Sequence, residues 1–272
     1  MDLNISARQA GRRAERSDWV DRGVRLGLVC YGFMHLMIAW LALRLAFGDG
    51  GGSASSSGAF QQLARSGLGL VSLYVVAVGF VALVLWQLLE AAQGHRDEEG
   101  RTRVVKRVTS GAKAVLYGSF AVSSWSTAQG SGGSSGGTQG WTAKLMSAPA
   151  GPWLVGAVGL GVVAVAGLLA YRGWTEKFRS KLESEGQTGR EGRAAVRVGK
   201  VGYVSKGVAL GIVGLLFLWA ALTHDPQRSG GLDQALHQLL QQPFGAVVLV
   251  VIALGLACYG LFCFAWARHL DR

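Results

Sequence analysis

The sequence contains few prolines, few cysteines and no recognisable catalytic motif. Only four of its 272 residues are proline, and all four flank the long apolar segments. The three cysteines lie inside apolar segments, so no disulfide framework is indicated. No Walker sequence, metalloprotease motif or nucleophile elbow occurs, and the glycine-rich letters at 156–161 follow no strand. These absences argue against the common enzyme classes and favour uninterrupted helices.

Charge is also scarce and unevenly placed. Charged residues make up 16% of the chain, against about 25% in soluble domains. The 27 Lys and Arg outnumber the 16 Asp and Glu, and they are confined to blocks between long apolar runs. This pattern is typical of an integral membrane protein, and nothing in it indicates a nucleic-acid partner.

Six apolar runs are long enough to cross a membrane, so the sequence predicts an all-α integral membrane protein with six transmembrane helices. Backbone groups cannot stay unpaired in hydrocarbon, so each run is expected to be helical. The third run is rich in Ser and Thr and is the weakest of the six. The runs are Leu26 to Phe47, Leu68 to Ala91, Val108 to Ala128, Trp153 to Tyr171, Val201 to Thr223 and Phe244 to Ala267.

The basic residues predict the orientation in the membrane. All but four of the 27 Lys and Arg fall on one side of the predicted spans; the exceptions are Arg44, Arg65, Lys144 and Arg228. By the positive-inside rule, the N- and C-termini are both expected in the cytoplasm, with the protein in the inner or plasma membrane.

The chain repeats itself three times. The copies align on one position early in each first helix and on one glycine at the start of each second helix. These positions are Gly27, Thr109 and Gly202, and Gly69, Gly151 and Gly245. A further glycine follows each second-helix glycine ten residues later, at Gly79, Gly161 and Gly255. Three tandem hairpins therefore face the same way, which predicts a pseudo-threefold bundle about the membrane normal.

The predicted organisation has five parts: a basic cytoplasmic N-terminal segment over 1–25, a first repeat over 26–94, a second over 104–173, a basic amphipathic linker over 174–198 and a third repeat over 199–267. In the linker, Trp174, Phe178 and Leu182 recur every four residues among basic side chains. This indicates either a helix lying on the anionic inner leaflet or a solvated connector. The outer loops GDGGGSASSSG and QGSGGSSGGTQG are expected to be flexible.

Three segments, VRLGLVCYGFMHLMIAWLALRLAFG, RVTSGAKAVLYGSFAVSSWS and VGKVGYVSKGVALGIVGLLFLWAAL, together with their glycine-anchored second helices, resemble a bacterial membrane family known as domain of unknown function 1206. The likeness extends from about Trp19 to Ala267. It implies a two-helix unit in up to three copies and brings no established activity. Members commonly carry a basic residue where this chain has Tyr31, so the first copy departs from the pattern.

Two lysines occupy the same repeat position inside predicted spans. Lys113 and Lys206 align with each other, and Tyr31 stands at that place in the first copy. Three interpretations are open. The lysines snorkel to the headgroups; or they and Tyr31 face a shared axis and bind an anion or a lipid phosphate; or they pair with a carboxylate, for which Glu90 is the best placed.

Two further groups of residues are weaker candidates. His35 lies midway along the first span near Cys30, Met34 and Met37, and is either a packed histidine or a proton relay. A soft-metal site is the weaker interpretation there, because no second histidine stands at comparable depth in the other copies. In the last outer loop, His224, Asp225, Asp233 and His237 are expected in a solvated loop and short amphipathic helix rather than around a metal.

The sequence thus predicts a non-enzymatic structural, accessory or lipid-binding membrane module with no cofactor and no catalytic residue. The alternative is a small-solute or ion transporter or channel, with an anion site near the cytoplasmic end of the pseudo-axis. The expected partners are lipids of the anionic inner leaflet and a second copy or another membrane protein.

The lysine hypothesis predicts that Lys113→Ala combined with Lys206→Ala removes a bound anionic lipid or solute, because both ammonium groups are lost. Native mass spectrometry of the protein in a mild detergent measures this as loss of a defined adduct mass. An adduct that persists at the same ratio in the double variant would contradict the hypothesis.

Overall fold

Helices make up every regular element in the described part of the chain. The computed structural model describes residues 18–48, 52–92, 100–131, 137–182 and 189–269. The helices are α1 (Asp18–Ala46), α2 (Ser56–Ala64), α3 (Gly69–Ala92), α4 (Gly100–Ala128), α5 (Gly137–Met146), α6 (Gly151–Trp174), α7 (Gly189–Thr223), α8 (Leu232–Leu240) and α9 (Gly245–Arg268). Two 3₁₀ turns, Lys177–Lys181 and Pro226–Arg228, follow α6 and α7.

Five helices within the described ranges are long and apolar enough to cross a membrane: α1, α3, α6, α7 and α9. The predicted all-helical fold is therefore confirmed for these residues, and five of the predicted spans have the length and apolar composition that crossing a membrane requires. The third predicted run forms the 29-residue helix α4, whose serine- and threonine-rich sequence keeps it out of this set. The sixth span stays a prediction.

Helix lengths follow the repeat. Each second helix, α3, α6 and α9, begins at the aligned glycine and has 24 residues. The first helices begin earlier than the apolar runs that predicted them, and α7 starts at Gly189 rather than at Val201. At 35 residues, α7 is about 50 Å long, more than the roughly 30 Å of hydrocarbon in a bilayer.

A short helix precedes each second helix in the chain: α2, α5 and α8 respectively. The aligned glycines are explained by this arrangement. A Cβ on Gly69 would overlap the carbonyl oxygen of Leu63, and one on Gly245 would overlap that of Leu239. A Cβ on Gly151 would likewise run into the end of α5. Only glycine lets the chain turn this closely from the outer helix into the span.

The first outer loop differs from the flexible connector that its composition predicts. Ala54 is fully buried, and its backbone N–H donates a hydrogen bond of 2.6 Å to Oδ1 of Asp233 on α8. Phe60 on α2 is buried as well. A Gly/Ser-rich segment can become ordered when its backbone N–H groups find an acceptor such as this carboxylate. The composition of the segment does not show that such an acceptor is nearby. Residues 49–51, and 132–136 of the second outer loop, lie outside the described ranges.

The chain forms two compact units, whose boundary falls between Tyr31 and Gly32 inside α1. The first unit holds the start of α1 with α3 and α4. The second holds the remainder of α1 with α2 and α5 to α9.

Within a hairpin, aligned positions make the same close contact in both units. In the first unit, a Cβ on Gly27 would run into Leu83, and one on Gly79 would lie 2.8 Å from Sγ of Cys30. In the second unit, the aligned Gly202 lies against Tyr259. The aligned Gly255 lies against Ser205, which stands at the repeat position of Cys30. Small residues thus set the distance between the two helices of the first hairpin and of the third.

Contacts between successive copies also recur at aligned positions. In the first unit, a Cβ on Gly118 of α4 would lie 3.9 Å from Val84 of α3. In the second unit, one on Gly211 of α7 would lie 3.7 Å from Cβ of Ala166 on α6. Also in the second unit, one on Gly260 of α9 would lie 3.0 Å from Cγ of Leu36 on α1. Each second helix therefore packs on the first helix of another copy at one register.

The glycine contacts predict a sharp difference between two substitutions. A Cβ on Gly207 would lie 2.8 Å from the carbonyl oxygen of Ala166 and 2.9 Å from N of Ala170, whereas a Cβ on Gly161 would meet no atom within 4 Å. Gly207→Ala is expected to lower the free energy of unfolding by about 1–3 kcal/mol, because α6 and α7 must separate.

Gly161→Ala is the matched control and should change that energy by less than about 1 kcal/mol, with helix propensity favouring alanine. Denaturation in detergent, followed by circular dichroism, measures both. Equal effects of the two substitutions would contradict the close-packing interpretation.

Candidate functional site

Lys206 points into the packed bundle of the second unit. Its Nζ lies 3.9 Å from the centre of the Tyr259 ring, over the ring face. Lys206 belongs to α7 and Tyr259 to α9, and the tyrosine is 4% exposed. An ammonium over an aromatic face is attracted by the ring quadrupole, and the attraction grows where water is excluded. The contact therefore offsets part of the cost of placing a lysine inside a span.

His35 meets the same tyrosine from another copy. Its ring centre lies 4.9 Å from that of Tyr259, and the histidine is 5% exposed. Lys206 and Tyr259 come from the third repeat, whereas His35 comes from the first. The structure therefore joins two residues that the sequence analysis treated as separate candidates. We call Lys206, Tyr259 and His35 the polar cluster.

Aromatic rings pack against the polar cluster within the second unit. Tyr203 meets Tyr259 edge to face with ring centres 5.2 Å apart, and it also contacts Phe262 at 5.6 Å. Phe178 stacks on Tyr203 with centres 5.1 Å apart and is 1% exposed. The three rings of Phe178, Tyr203 and Phe262 form what we call the aromatic layer.

The burial of Phe178 alters the interpretation of the linker. The sequence allows either a helix with Trp174, Phe178 and Leu182 on the membrane surface or a solvated connector. In the structure α6 ends at Trp174, a five-residue 3₁₀ turn follows, and both Phe178 and Leu182 are buried in the protein. Trp174 alone of the three is exposed. Apolar residues at every fourth position indicate that one face of the segment is shielded from water. Here Phe178 and Leu182 pack against the protein rather than against lipid.

In the first unit, Tyr31 lies among aromatic side chains. Its ring centre is 5.4 Å from that of Tyr117, 6.2 Å from Phe80 and 6.3 Å from Phe120. Lys113 is half-buried one helical turn before Tyr117, on the same face of α4. The structure thus places Lys113 beside the ring that contacts Tyr31.

Glu90 is half-buried in the last turn of α3. Its pairing with a lysine stays a prediction. The shared axis of Lys113, Lys206 and Tyr31 also stays a prediction, because the two lysines belong to different compact units.

The two aspartates of the last outer loop bind nearby backbone and basic groups. Asp225 accepts a hydrogen bond from the backbone N of Gln227 and pairs with Arg228 at 3.2 Å. Asp233 accepts the Ala54 N–H and lies 3.6 Å from Nδ1 of His237. No group of three His, Cys, Asp or Glu suited to a metal ion occurs among the residues that the structure describes.

Sequence reasoning missed Tyr259, Tyr203 and Phe178. A partial signal exists on α9, where Tyr259, Phe262 and Trp266 share one helix face at three- and four-residue spacing. The signal marks a packed aromatic face but does not indicate that a lysine and a histidine from other helices meet it. Chemically, the polar cluster offers ammonium donors and an imidazole inside a span, which suits anion binding or proton exchange.

The sequence model of a family described as Domain of Unknown Function (DUF1206) matches three stretches of this chain: residues 26–94, 108–176 and 201–269. The starts of the three stretches are offset from one another by the same numbers of residues as the aligned positions Gly27, Thr109 and Gly202. The three-repeat organisation is therefore confirmed. The chain is also 30% identical over 258 residues to "Uncharacterized protein YxxB" of Bacillus subtilis (strain 168), covering 92% of this chain and 91% of that protein. No solved structure matches the chain.

The cation–π contact predicts energetic coupling between Lys206 and Tyr259. Tyr259→Phe retains an aromatic face and should keep the coupling, whereas Tyr259→Leu should abolish it. A double-mutant cycle with Lys206→Met, measured by denaturation in detergent, is expected to give a coupling free energy of about 0.5–2 kcal/mol. A cycle between Lys206→Met and Leu73→Ala, a buried residue of the first unit, serves as control. A coupling no larger than in that control would contradict the contact.

Proposed function

The chain belongs to the family described as Domain of Unknown Function (DUF1206), and we propose that it is a non-enzymatic integral membrane module whose three hairpins close into a pseudo-threefold ring. In this proposal the ring is a structural or accessory unit of the membrane. It acts through its lipid-facing helix surfaces and its basic inner side, on partner membrane proteins, a second copy of the chain, or anionic lipids.

The closed ring is supported by a contact between copies that recurs at equivalent positions. Gly118 with Val84 joins copy two to copy one, and Gly211 with Ala166 joins copy three to copy two. Gly260 with Leu36 joins copy three back to copy one. The three pairs occupy equivalent repeat positions. A linear row of hairpins would supply two such contacts, whereas three contacts support closure.

The outer side supports the same closure. The hydrogen bond from the Ala54 N–H to Asp233 connects the outer loop of copy one to the outer helix of copy three. Helix α5 of copy two packs beside the 3₁₀ turn Pro226–Arg228 of copy three.

Helix α4 is proposed as the sixth span despite its lower hydropathy. Its hydroxyl groups donate to backbone carbonyls, which lowers the cost of placing them in hydrocarbon. Ser124 is fully buried and donates to the carbonyl of Leu73 on α3 at 2.8 Å. Thr109, Ser119 and Thr127 donate to carbonyls of their own helix at 2.7–2.8 Å. With six spans, the basic segments lie on one side, which supports cytoplasmic termini and an inner-membrane location.

A second candidate function is favoured by the polar cluster. Lys206 faces the buried Tyr259 together with His35, so its ammonium is directed to the protein interior. This supports an anion or lipid-phosphate site near the cytoplasmic end of the bundle, as a small-solute or ion transporter or channel would need. The site differs from the predicted trio, because His35 and Tyr259 accompany Lys206 in place of Lys113 and Tyr31.

The ring predicts that copy three can be cross-linked to copy one within a single chain. In a background with Cys30, Cys258 and Cys263 replaced by alanine, the pair Leu36→Cys with Gly260→Cys should form a disulfide on mild oxidation. Cβ atoms at contacting positions fall within the reach of a disulfide. A protease site placed between copies two and three then gives fragments that separate on a gel only after reduction.

The matched control is Leu36→Cys with Gly161→Cys, because a Cβ on Gly161 meets no atom within 4 Å. The equivalent pair Ala166→Cys with Gly211→Cys serves as a positive reference. Cross-linking of the reference pair without cross-linking of Leu36 to Gly260 would overturn the closed ring.

A further inference from the structure

The segment between α6 and α7 folds back onto the bundle. Glu176 has a left-handed backbone with φ of 56°, which reverses the chain after Trp174. The 3₁₀ turn Lys177–Lys181 then directs Phe178 and Leu182 inward, where they are 1% and 0% exposed. We call residues 174–182 the inner strap. Its residues 177–182 lie between the second and third stretches that match the family, which end at 176 and begin at 201.

The Phe178 ring packs against α7 at Gly199, where the helix has no side chain. A Cβ on Gly199 of α7 would lie 2.6 Å from Cε2 of Phe178 and 2.6 Å from Cδ2 of Phe262. The Phe178 ring stacks on Tyr203 at an interplanar angle of 13° and meets Phe262 edge to face at 82°. The absence of a side chain at 199 therefore makes room for the ring.

The Phe178 ring stands next to the polar cluster in a continuous series of contacts. Tyr203 and Phe262, which hold Phe178, both contact Tyr259. Tyr259 in turn contacts Lys206 and His35. Tyr203 and Phe262 therefore lie between the Phe178 ring of the inner strap and Tyr259 of the polar cluster.

The ion pairs of the strap lie on its exposed side. Glu176 pairs with Arg179 at 3.2 Å and with Lys200 at 3.4 Å, and all three side chains are about one-third exposed or more. Ion pairs of this exposure contribute little. Phe178 and Leu182 are the buried side chains among the described side chains of the strap, and a short segment can open locally at less cost than global unfolding.

We propose that the inner strap is the closure of the polar cluster on its cytoplasmic side, with Phe178 as the plug that separates Lys206 from water and from small anions. When Phe178 leaves its seat, the aromatic layer loses one of its three rings and Lys206 gains a path to the cytoplasm. This inference rests on the second candidate function, because it concerns access to the same site.

The test measures how fast a thiol at position 206 reacts with a water-soluble reagent. The reporter is Lys206→Cys in the full chain with the three native cysteines replaced by alanine, purified in a mild detergent. The probe is the anionic reagent 2-sulfonatoethyl methanethiosulfonate, with labelling followed by intact mass. We expect Phe178→Ala to raise the labelling rate at least tenfold over the parent reporter.

A second variant and a matched control complete the design. Gly199→Ala introduces a methyl group into the Phe178 seat and should also raise the rate, while Phe178 itself is kept. Trp174→Ala removes an aromatic ring from the same strap, but from a side chain that is 74% exposed, and should leave the rate unchanged. If Phe178→Ala does not elute as a monodisperse species, Gly199→Ala decides.

An unchanged rate in the folded variants overturns the closure, and so does an equal increase in the Trp174→Ala control. The Leu36–Gly260 cross-link is measured in the same variants. A closed ring with unchanged labelling overturns the strap alone, whereas a missing cross-link overturns the proposed architecture. Inside-out membrane vesicles then test the side of access, which should be cytoplasmic.

Discussion

The fold depends on how closely its helices approach one another. Between apolar helices in lipid there is no hydrophobic driving force, so van der Waals contact over small residues must hold them together. Gly27 with Gly79 and Gly202 with Gly255 mark that contact inside two hairpins, and Gly118, Gly211 and Gly260 mark it between copies. Because these contacts recur at equivalent pairs of repeat positions, one packing solution serves different parts of the chain. The polar groups of the spans occupy places that this packing creates.

Close packing also determines how polar side chains are accommodated. Ser124 on α4 reaches a backbone carbonyl of α3 because the two helices are adjacent. Lys206 lies over the face of Tyr259 because Gly202, one turn before it, lets α7 approach α9 at that tyrosine. Thus the small residues and the polar cluster are parts of one arrangement. A bulkier residue at 202 would move the helix that carries the lysine, and the contact with the ring would be lost with it.

The sequence was sufficient for the membrane class and the repeat, because charge segregation and glycine spacing are properties of the chain itself. It was not sufficient for features that depend on neighbours. Helices α2 and α5 are short and rich in small residues, so no apolar period marks them. Phe178 follows a period that fits a membrane surface equally well, and only the glycine at 199 shows why its ring enters the protein. Lys206, Tyr259 and His35 lie far apart in sequence, and their meeting follows from the packing of copy three on copy one.

That meeting occurs at one junction between copies and has no equivalent at the other two. At this junction copy three supplies Lys206 and Tyr259, and copy one supplies His35. At the junction of copies one and two, the residues at the same repeat positions are, in that order, Tyr31, Leu83 and Tyr117. At the junction of copies two and three they are Lys113, Val165 and Leu210. A trimer of identical hairpins would have three equal junctions and a stoichiometry of three. Fusing the copies into one chain has allowed each junction to diverge, so a ligand of the polar cluster would saturate at one per chain.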